Sequence, residues 1–220
     1  VVIIIESLSK EFVGFYNKGV GFTPFLDSLM QHSLVYENCF ANGTRSIESL
    51  PAIFCGLPKL MDEPIVTSSY SSNQLNSLAS LLKNKGYSSS FFHGGKNGTM
   101  LFDSFVKSIG FEKYYGKNEY GNEADFDGNW GIWDEPFFQY FADELSKQEE
   151  PFVSSIFSLS SHHPFALPEK YENTFTNEIH PMYGTVEYTD MSLNKFFDKA
   201  KKQDWYKNTL FVITADHSSQ

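Results

Sequence analysis

Apolar, β-branched residues collect in short unbroken runs at both ends of the chain, Val1-Val-Ile-Ile-Ile5 and residues 210–213 (Leu-Phe-Val-Ile). Such runs suit strands covered on both faces, as in a parallel sheet. Residues 88–92 and 152–159 read as two further strands, and residues 34–40 as another. Between them the apolar spacing changes to a helical period: Leu75, Leu78, Ala79 and Leu82 before a stop at Gly86; Phe102, Phe105, Val106 and Ile109 before Gly110; Phe137, Phe138, Phe141 and Leu145; then Val186, Thr189, Leu193, Phe196 and Ala200. Thr23-Pro24 reads as a cap followed by proline at the first helical position. After the turn Asn42-Gly43-Thr44, a helix is expected to start at Thr44, with Ile47, Leu50 and Phe54 on one face. Residues 115–130, rich in Gly, Asn, Asp and Glu, make the longest loop-like stretch. Strands and helices alternate throughout. The expected fold is therefore α/β, a three-layer sandwich whose central, mostly parallel sheet lies between helices on both faces.

Composition adds limits to this picture. A chain of 220 residues with 22 Phe and 12 Tyr is long and apolar enough to bury one substantial core. Its formal net charge of -10 argues against non-specific nucleic-acid binding, which needs a basic face. An anionic substrate is compatible with that charge, because a bound cation reverses the local field. Cys39 and Cys55 lack the paired spacing of a zinc knuckle; they either bridge or lie as two buried thiols, and the reading leans to thiols. No run reaches membrane-spanning length. The chain opens inside one strand-like run and closes just after another. Residues 1–220 are thus expected to be one domain, a piece cut from a longer protein, with any targeting or membrane segment outside it.

The polar residues that end the strands carry the chemistry. Glu6 follows the first run, His93 the strand at 88–92, His162 and His163 the strand at 152–159, and Asp216 with His217 the last. In open α/β sheets such strand ends share one crevice, so residues far apart in sequence meet there. Glu6, Asp216 and His217 offer two carboxylates and an imidazole, a mixed set that suits Mn²⁺, Zn²⁺ or Mg²⁺ better than Ca²⁺. Thr44 is a candidate fourth ligand and nucleophile; its commoner use at such a junction is a plain helix cap. His162 is the candidate proton donor and His163 a substrate contact. Arg45 is either an anion contact or a solvated charge. A serine-hydrolase elbow, a phosphate-binding Walker loop and a full dinucleotide fingerprint are all missing.

The motifs Ile4-Ile-Glu-Ser-Leu8, Thr23-Pro-Phe-Leu26, Asn42-Gly-Thr44, Phe92-His-Gly94, Trp130-Gly-Ile132 with Asp134-Glu-Pro-Phe137, Ser160-Ser-His-His-Pro-Phe165 and Ala215-Asp-His217 stand in an order that resembles the lipoteichoic acid synthase branch of the sulfatase family, in the alkaline phosphatase superfamily. The resemblance implies one divalent ion, Mn²⁺ first, on Glu6, Thr44, Asp216 and His217, with Thr44 taking up the phospho-group. It implies an active-site role for His93 and a substrate-binding or proton-donating role for His162. It also implies an anionic lipid or glycan substrate and a membrane-anchored enzyme on the outer face of a bacterial cytoplasmic membrane. Two departures bear on the substrate. Where the synthases carry an Asp, a Trp and an Arg that grip phosphoglycerol, this chain has Gly95, Met100 and Phe102. Thr44-Arg-Ser-Ile47 also lacks the Cys or Ser pattern that true sulfatases convert to formylglycine. The expected activity is a phosphoglycerol- or phosphoethanolamine-type transferase or phosphodiesterase. Hydrolysis of a sulfate or phosphate ester is the alternative, and a non-catalytic binding domain the alternative of another class.

Overall fold

A computed structural model of the protein describes residues 1–175 and 179–218. Its elements are β1 (Val2–Ile5), α1 (Pro24–Met30), α2 (Ser46–Cys55), α3 (Leu78–Lys83), β2 (Ser88–His93), α4 (Phe102–Ser108), β3 (Lys113–Tyr115), α5 (Lys117–Tyr120), α6 (Asp134–Leu145), β4 (Phe152–Phe157), α7 (Glu172–Phe175), α8 (Pro181–Ala200) and β5 (Val212–Ala215), with short 3₁₀ turns between them. The five strands form one sheet in the order β3-β2-β4-β1-β5, and every pairing is parallel.

Successive side chains of a strand point to opposite faces, and here both faces are apolar. Ile3, Ile5, Phe92 and Ile156 pack against α6 and α8 through Phe138, Phe141, Leu145, Leu193, Phe196 and Phe197. Val2, Ile4, Phe91 and Phe157 pack on the other side against α2, α3 and α4 through Leu50, Phe54, Ala79, Phe102, Phe105 and Val106. The three-layer arrangement follows from that two-sided burial. No helix among the described residues is long and apolar enough to cross a membrane.

Several local expectations are corrected. Residues 34–40 form no strand: Leu34, Tyr36 and Phe40 are 81%, 70% and 80% exposed, and the segment finds no strand edge to pair with. The outer edge is taken instead by β3, which ends at the first residue of the expected long loop. β5 is also an edge strand, with Leu210 and Val212 largely exposed, despite a composition that suits a central one. Cys39 and Cys55 are free thiols, the first exposed and the second half-buried, so the expected burial fails for Cys39. α2 starts at Ser46 rather than Thr44.

Two backbone junctions hold the cleft side of the sheet in place. Asp190 of α8 caps α1 from a distance, its carboxylate accepting the Phe25 N–H at 2.8 Å and the Leu26 N–H at 2.9 Å. These are donors that the start of any helix leaves unpaired. Beyond β2, Gly95 and Gly131 form a bridge, and the Ile132 N–H donates to the Gly94 carbonyl at 3.0 Å. A Cβ on Gly131 would collide with the Gly94 carbonyl and lie 2.7 Å from Leu159 Cδ1. Gly131→Ala is therefore expected to cost about 2–4 kcal/mol, read as a lowered urea midpoint at unchanged slope.

Candidate metal centre

β1 and β5 are neighbours in parallel register, with Ile5 opposite Ala215. The next residue on each strand is a carboxylic acid, so Glu6 and Asp216 leave the sheet side by side. Both are buried, at 1% and 3% exposure. His217 follows, and one ligand atom from each of Glu6, Asp216 and His217 lies within 4.8 Å of the other two. The expected meeting of the first and last strands is what delivers these groups to one point.

Neighbouring elements fix each of them. Ser158, just past β4, accepts the Glu6 N–H at 2.9 Å, and Ser7 Oγ donates to Glu6 Oε1 at 2.6 Å. Ser7 itself takes a left-handed backbone, φ 55°, and turns its N–H onto Asp216 Oδ1 at 2.8 Å. The His217 N–H binds the same oxygen at 2.8 Å. His217 Nδ1 lies 2.8 Å from the Ser218 carbonyl, which can only accept, so Nδ1 carries the proton and Nε2 faces the acids.

The hydroxyl brought into this group belongs to Ser46. Its Oγ lies 3.1 Å from Glu6 Oε2 and 3.2 Å from His217 Nε2. Thr44 stands two residues earlier, outside the helix, with its N–H held by Glu48 Oε2 at 2.8 Å. The difference follows from where α2 begins. The Glu48 carboxylate takes the orphan N–H of Thr44 and its own N–H donates to the Arg45 carbonyl at 2.9 Å, so Arg45 becomes the cap and Ser46 the first helical residue. A polar residue followed by an acid at the start of an apolar helix was the available signal.

The donor set fits a cation. His217 Nε2 is 3.1 Å from Asp216 Oδ2 and 3.7 Å from Glu6 Oε1. A tetrahedral ion with bonds of about 2.0–2.1 Å has donor–donor edges of about 3.3 Å, within the spread found here. Asp216 Oδ2 is buried with no hydrogen-bond partner among the described residues, since its approach to the imidazole is close but poorly aligned. Burial, then the charge of Asp216, drive the Glu6 carboxyl well above the usual carboxylate range. Burial works against a charged His217, but the adjacent Asp216 carboxylate outweighs it and raises the imidazole. A divalent ion bound here would relieve the burial and mutual repulsion that disfavour the two carboxylates as anions.

The remaining sequence candidates lie elsewhere. His162 follows β4, the strand beside β1; its ring packs on Trp130 with centroids 4.2 Å apart, and Nδ1 donates to the His163 carbonyl at 2.9 Å, leaving Nε2 to exchange a proton. The same carbonyl accepts Trp130 Nε1–H at 2.6 Å, and the His163 ring is exposed. Arg45 is half-exposed and bound to Glu48. His93 is not in the cleft: at 0% exposure its ring packs on Phe102 and Phe157, centroids 5.0 and 5.7 Å away.

Comparison with known proteins identifies the family and the fold. The sulfatase family model matches residues 1–220. Lipoteichoic acid synthase 1 of Bacillus subtilis is 29% identical over 229 residues, covering 97% of this chain and 35% of that protein. A protein of the alkaline phosphatase superfamily from Vibrio parahaemolyticus superposes with a TM-score of 0.90 at 34% identity, over 100% of this chain and 54% of its own. The lipoteichoic acid synthase LtaP of Listeria monocytogenes superposes with a TM-score of 0.87 at 20% identity, over 100% of this chain and 56% of its own. The chain spans about a third of the length of the curated relatives it matches.

Proposed function

Because this chain belongs to the sulfatase family, and its enzymes include the lipoteichoic acid synthases it resembles, we propose that it is the catalytic part of a divalent-metal-dependent phospho-group transferase acting on an anionic lipid or glycan of the cell envelope. The observation that carries this reading is the convergence of Glu6, Asp216, His217 and the Ser46 hydroxyl at the ends of β1 and β5. The sequence-based expectation of a threonine intermediate passes to Ser46, whose Oγ lies within hydrogen-bond distance of Glu6 and His217.

Glu6, Asp216, His217 and Ser46 would hold the ion, Mn²⁺ or Zn²⁺ by donor type. Bound there, a divalent ion lowers the pKa of the hydroxyl and offsets charge on the phosphoryl oxygens. Ser46 Oγ gives its proton to solvent and attacks phosphorus; the Oγ–P bond forms as the bond from phosphorus to the departing alcohol breaks. His162 Nε2 is assigned the proton that the departing alkoxide takes up. An acceptor alcohol then gives its proton to His162 Nε2 and attacks the phosphoserine, the P–Oγ bond breaks, and Ser46 Oγ takes a proton from solvent to restore the hydroxyl. Ser46 opens a helix of 10 residues, so the N–H groups of the first turn face the phosphoryl oxygens. A membrane anchor in a segment outside this chain and a position outside the cytoplasmic membrane accord with such a substrate.

The test is made on the full-length protein with Mn²⁺ and a phosphoglycerol or phosphoethanolamine lipid as donor. Mass added to the Ser46 peptide is expected, and Ser46→Ala is expected to lower turnover by about 10³-fold or more while Thr44→Ala retains the adduct. Turnover that survives Ser46→Ala, or an adduct on Thr44, defeats the assignment. Release of inorganic phosphate in the presence of an alcohol acceptor, with no new phosphodiester, would assign hydrolysis in place of transfer.

A further inference from the structure

Two residues beyond Ser46, in the first turn of α2, Glu48 carries a charge that is almost wholly out of solvent, with a side chain 2% exposed. Oε2 accepts the Thr44 N–H at 2.8 Å. Oε1 accepts Arg45 Nε at 3.0 Å and Nη2 at 2.7 Å, and lies 3.0 Å from Lys59 Nζ. One buried carboxylate therefore gathers the turn before the nucleophile and two cations from different segments. The backbone repeats the connection, since the Lys59 N–H donates to the Asn42 carbonyl at 2.9 Å. The turn is pressed onto the acid: a Cβ on Gly43 would lie 2.6 Å from Glu48 Cβ.

A carboxylate in this position is costly to bury and is compensated only by charged or backbone donors. Helix stability alone does not call for two cations on one oxygen. Their charges sum to +2 against the single -1 of Glu48, in a chain whose net charge is -10. The surplus faces outward, because Arg45 and Lys59 keep 51% and 32% of their side chains exposed. Arg45 spends Nε and Nη2 on Glu48, and Nη2 reaches the Asp62 carbonyl as well; its Nη1 has no hydrogen bond among the described residues. Lys59 Nζ likewise has donors to spare.

We propose that Glu48 is a positioning residue for the nucleophile, and that the Arg45–Lys59 pair it holds is an anion subsite that grips the phosphoryl oxygens of the donor. This deepens the reading of Ser46 as the phospho-acceptor and rests on it. Lys59 is thereby a specificity residue for anionic substrates. Arg45 acts as a tethered cation rather than a free one, and Glu48 sets the direction of both.

The test uses the full-length enzyme, a phosphodiester donor for kinetics and inorganic phosphate as competing ligand. Lys59→Met and Arg45→Gln are each expected to raise KM and the phosphate inhibition constant by about tenfold, with kcat within about threefold. Glu48→Gln keeps the shape and removes the charge; it is expected to raise KM as much as both cation substitutions together and to lower kcat about tenfold. Added to the Arg45→Gln/Lys59→Met double variant, it is expected to change KM no further, because nothing is left to hold. Mn²⁺ affinity by calorimetry stays at the parent value throughout, which separates this subsite from the metal ligands. Unchanged phosphate inhibition in both cation variants, or KM effects of Glu48→Gln that add fully to theirs, overturns the proposal. Should Glu48→Gln fail to fold by circular dichroism, the two cation variants decide alone. Failure of the phospho-acceptor reading itself shows separately, as activity that survives Ser46→Ala.

Discussion

Replacing Asp216 with asparagine is expected to make the metal-free protein more stable and to remove its activity. The side chain has one contented oxygen and one that is not. Oδ1 accepts the N–H groups of Ser7 and His217, both at 2.8 Å, and an amide oxygen in its place accepts them as well. Oδ2 is buried without a hydrogen-bond partner beside a Glu6 carboxyl that burial and the Asp216 charge already disfavour as an anion. Taking away that charge removes the repulsion that disfavours an ionised Glu6 and the burial of an unpaired Oδ2, which together are expected to outweigh the lost attraction to His217. A gain of about 1–2 kcal/mol corresponds to a thermal midpoint higher by about 2–8 °C in a chain of this size. The same change deletes a hard anionic ligand, and the affinity for Mn²⁺ or Zn²⁺ is expected to fall by about 10²-fold or more, with turnover falling at least as far. Thermal unfolding in the presence of a chelator, paired with calorimetric metal titration, reads both effects. A lower midpoint in chelator together with unchanged metal binding would show that the acids are held for structure and not for an ion.

This opposition between stability and chemistry also explains which parts of the molecule were legible in the sequence. The first strand announced itself because burial on both faces demands an unbroken apolar run, and the long helices because burial on one helical face demands the 3.6 period; β5 carries such a run although it lies at the sheet edge, and serines interrupt β2 and β4. The carboxylates at the ends of the first and last strands were legible for the same reason, since a buried strand that stops in an acid leaves few other uses for it. β3 is only three residues, Lys113–Tyr115, too short to show any period, and its place at the sheet edge is a tertiary fact. Residues 34–40 carry the Leu, Val, Tyr and Phe that suit a strand, but composition does not supply a partner. Thr44 and Ser46 are two hydroxyls on one turn. Choosing between them needs the first residue of α2, which is set by the side chain of Glu48 reaching back to a backbone N–H. In sequence, that acid looks like any other in a first turn.

His93 misled for a related reason: at the end of a strand, a histidine that faces the cleft and one that faces the core look alike. Strand parity tells them apart here. His93 shares the face of Phe91, under α4, where its ring meets Phe102 and Phe157 and its Nε2 has no hydrogen-bond partner among the described residues. Burial holds the imidazole down to about 3, against 6.5 for an ordinary histidine. Between those values the unfolded chain binds a proton that the folded chain refuses. The contribution of this residue therefore rises with pH through the window, and stability is lost on acidification below about 6.5 at up to about 1.4 kcal/mol per pH unit. Asp134 and Asp190, both pushed up to about 6 by burial, act in the opposite sense: their protonation in the folded state favours it as pH falls toward 4. The parent curve is the sum of these, so the difference between parent and His93→Phe isolates the imidazole. The phenyl ring keeps the aromatic contacts and removes the unpaired nitrogen. Between pH 7 and pH 5 the variant is expected to lose about 1.5–2 kcal/mol less stability than the parent, measured from urea midpoints at each pH. Parallel curves would place the imidazole in contact with water after all. Activity at pH 7 gives the second reading: a core role leaves KM near its parent value, whereas a tenfold rise would return His93 to the substrate and require the cleft to open beneath α4.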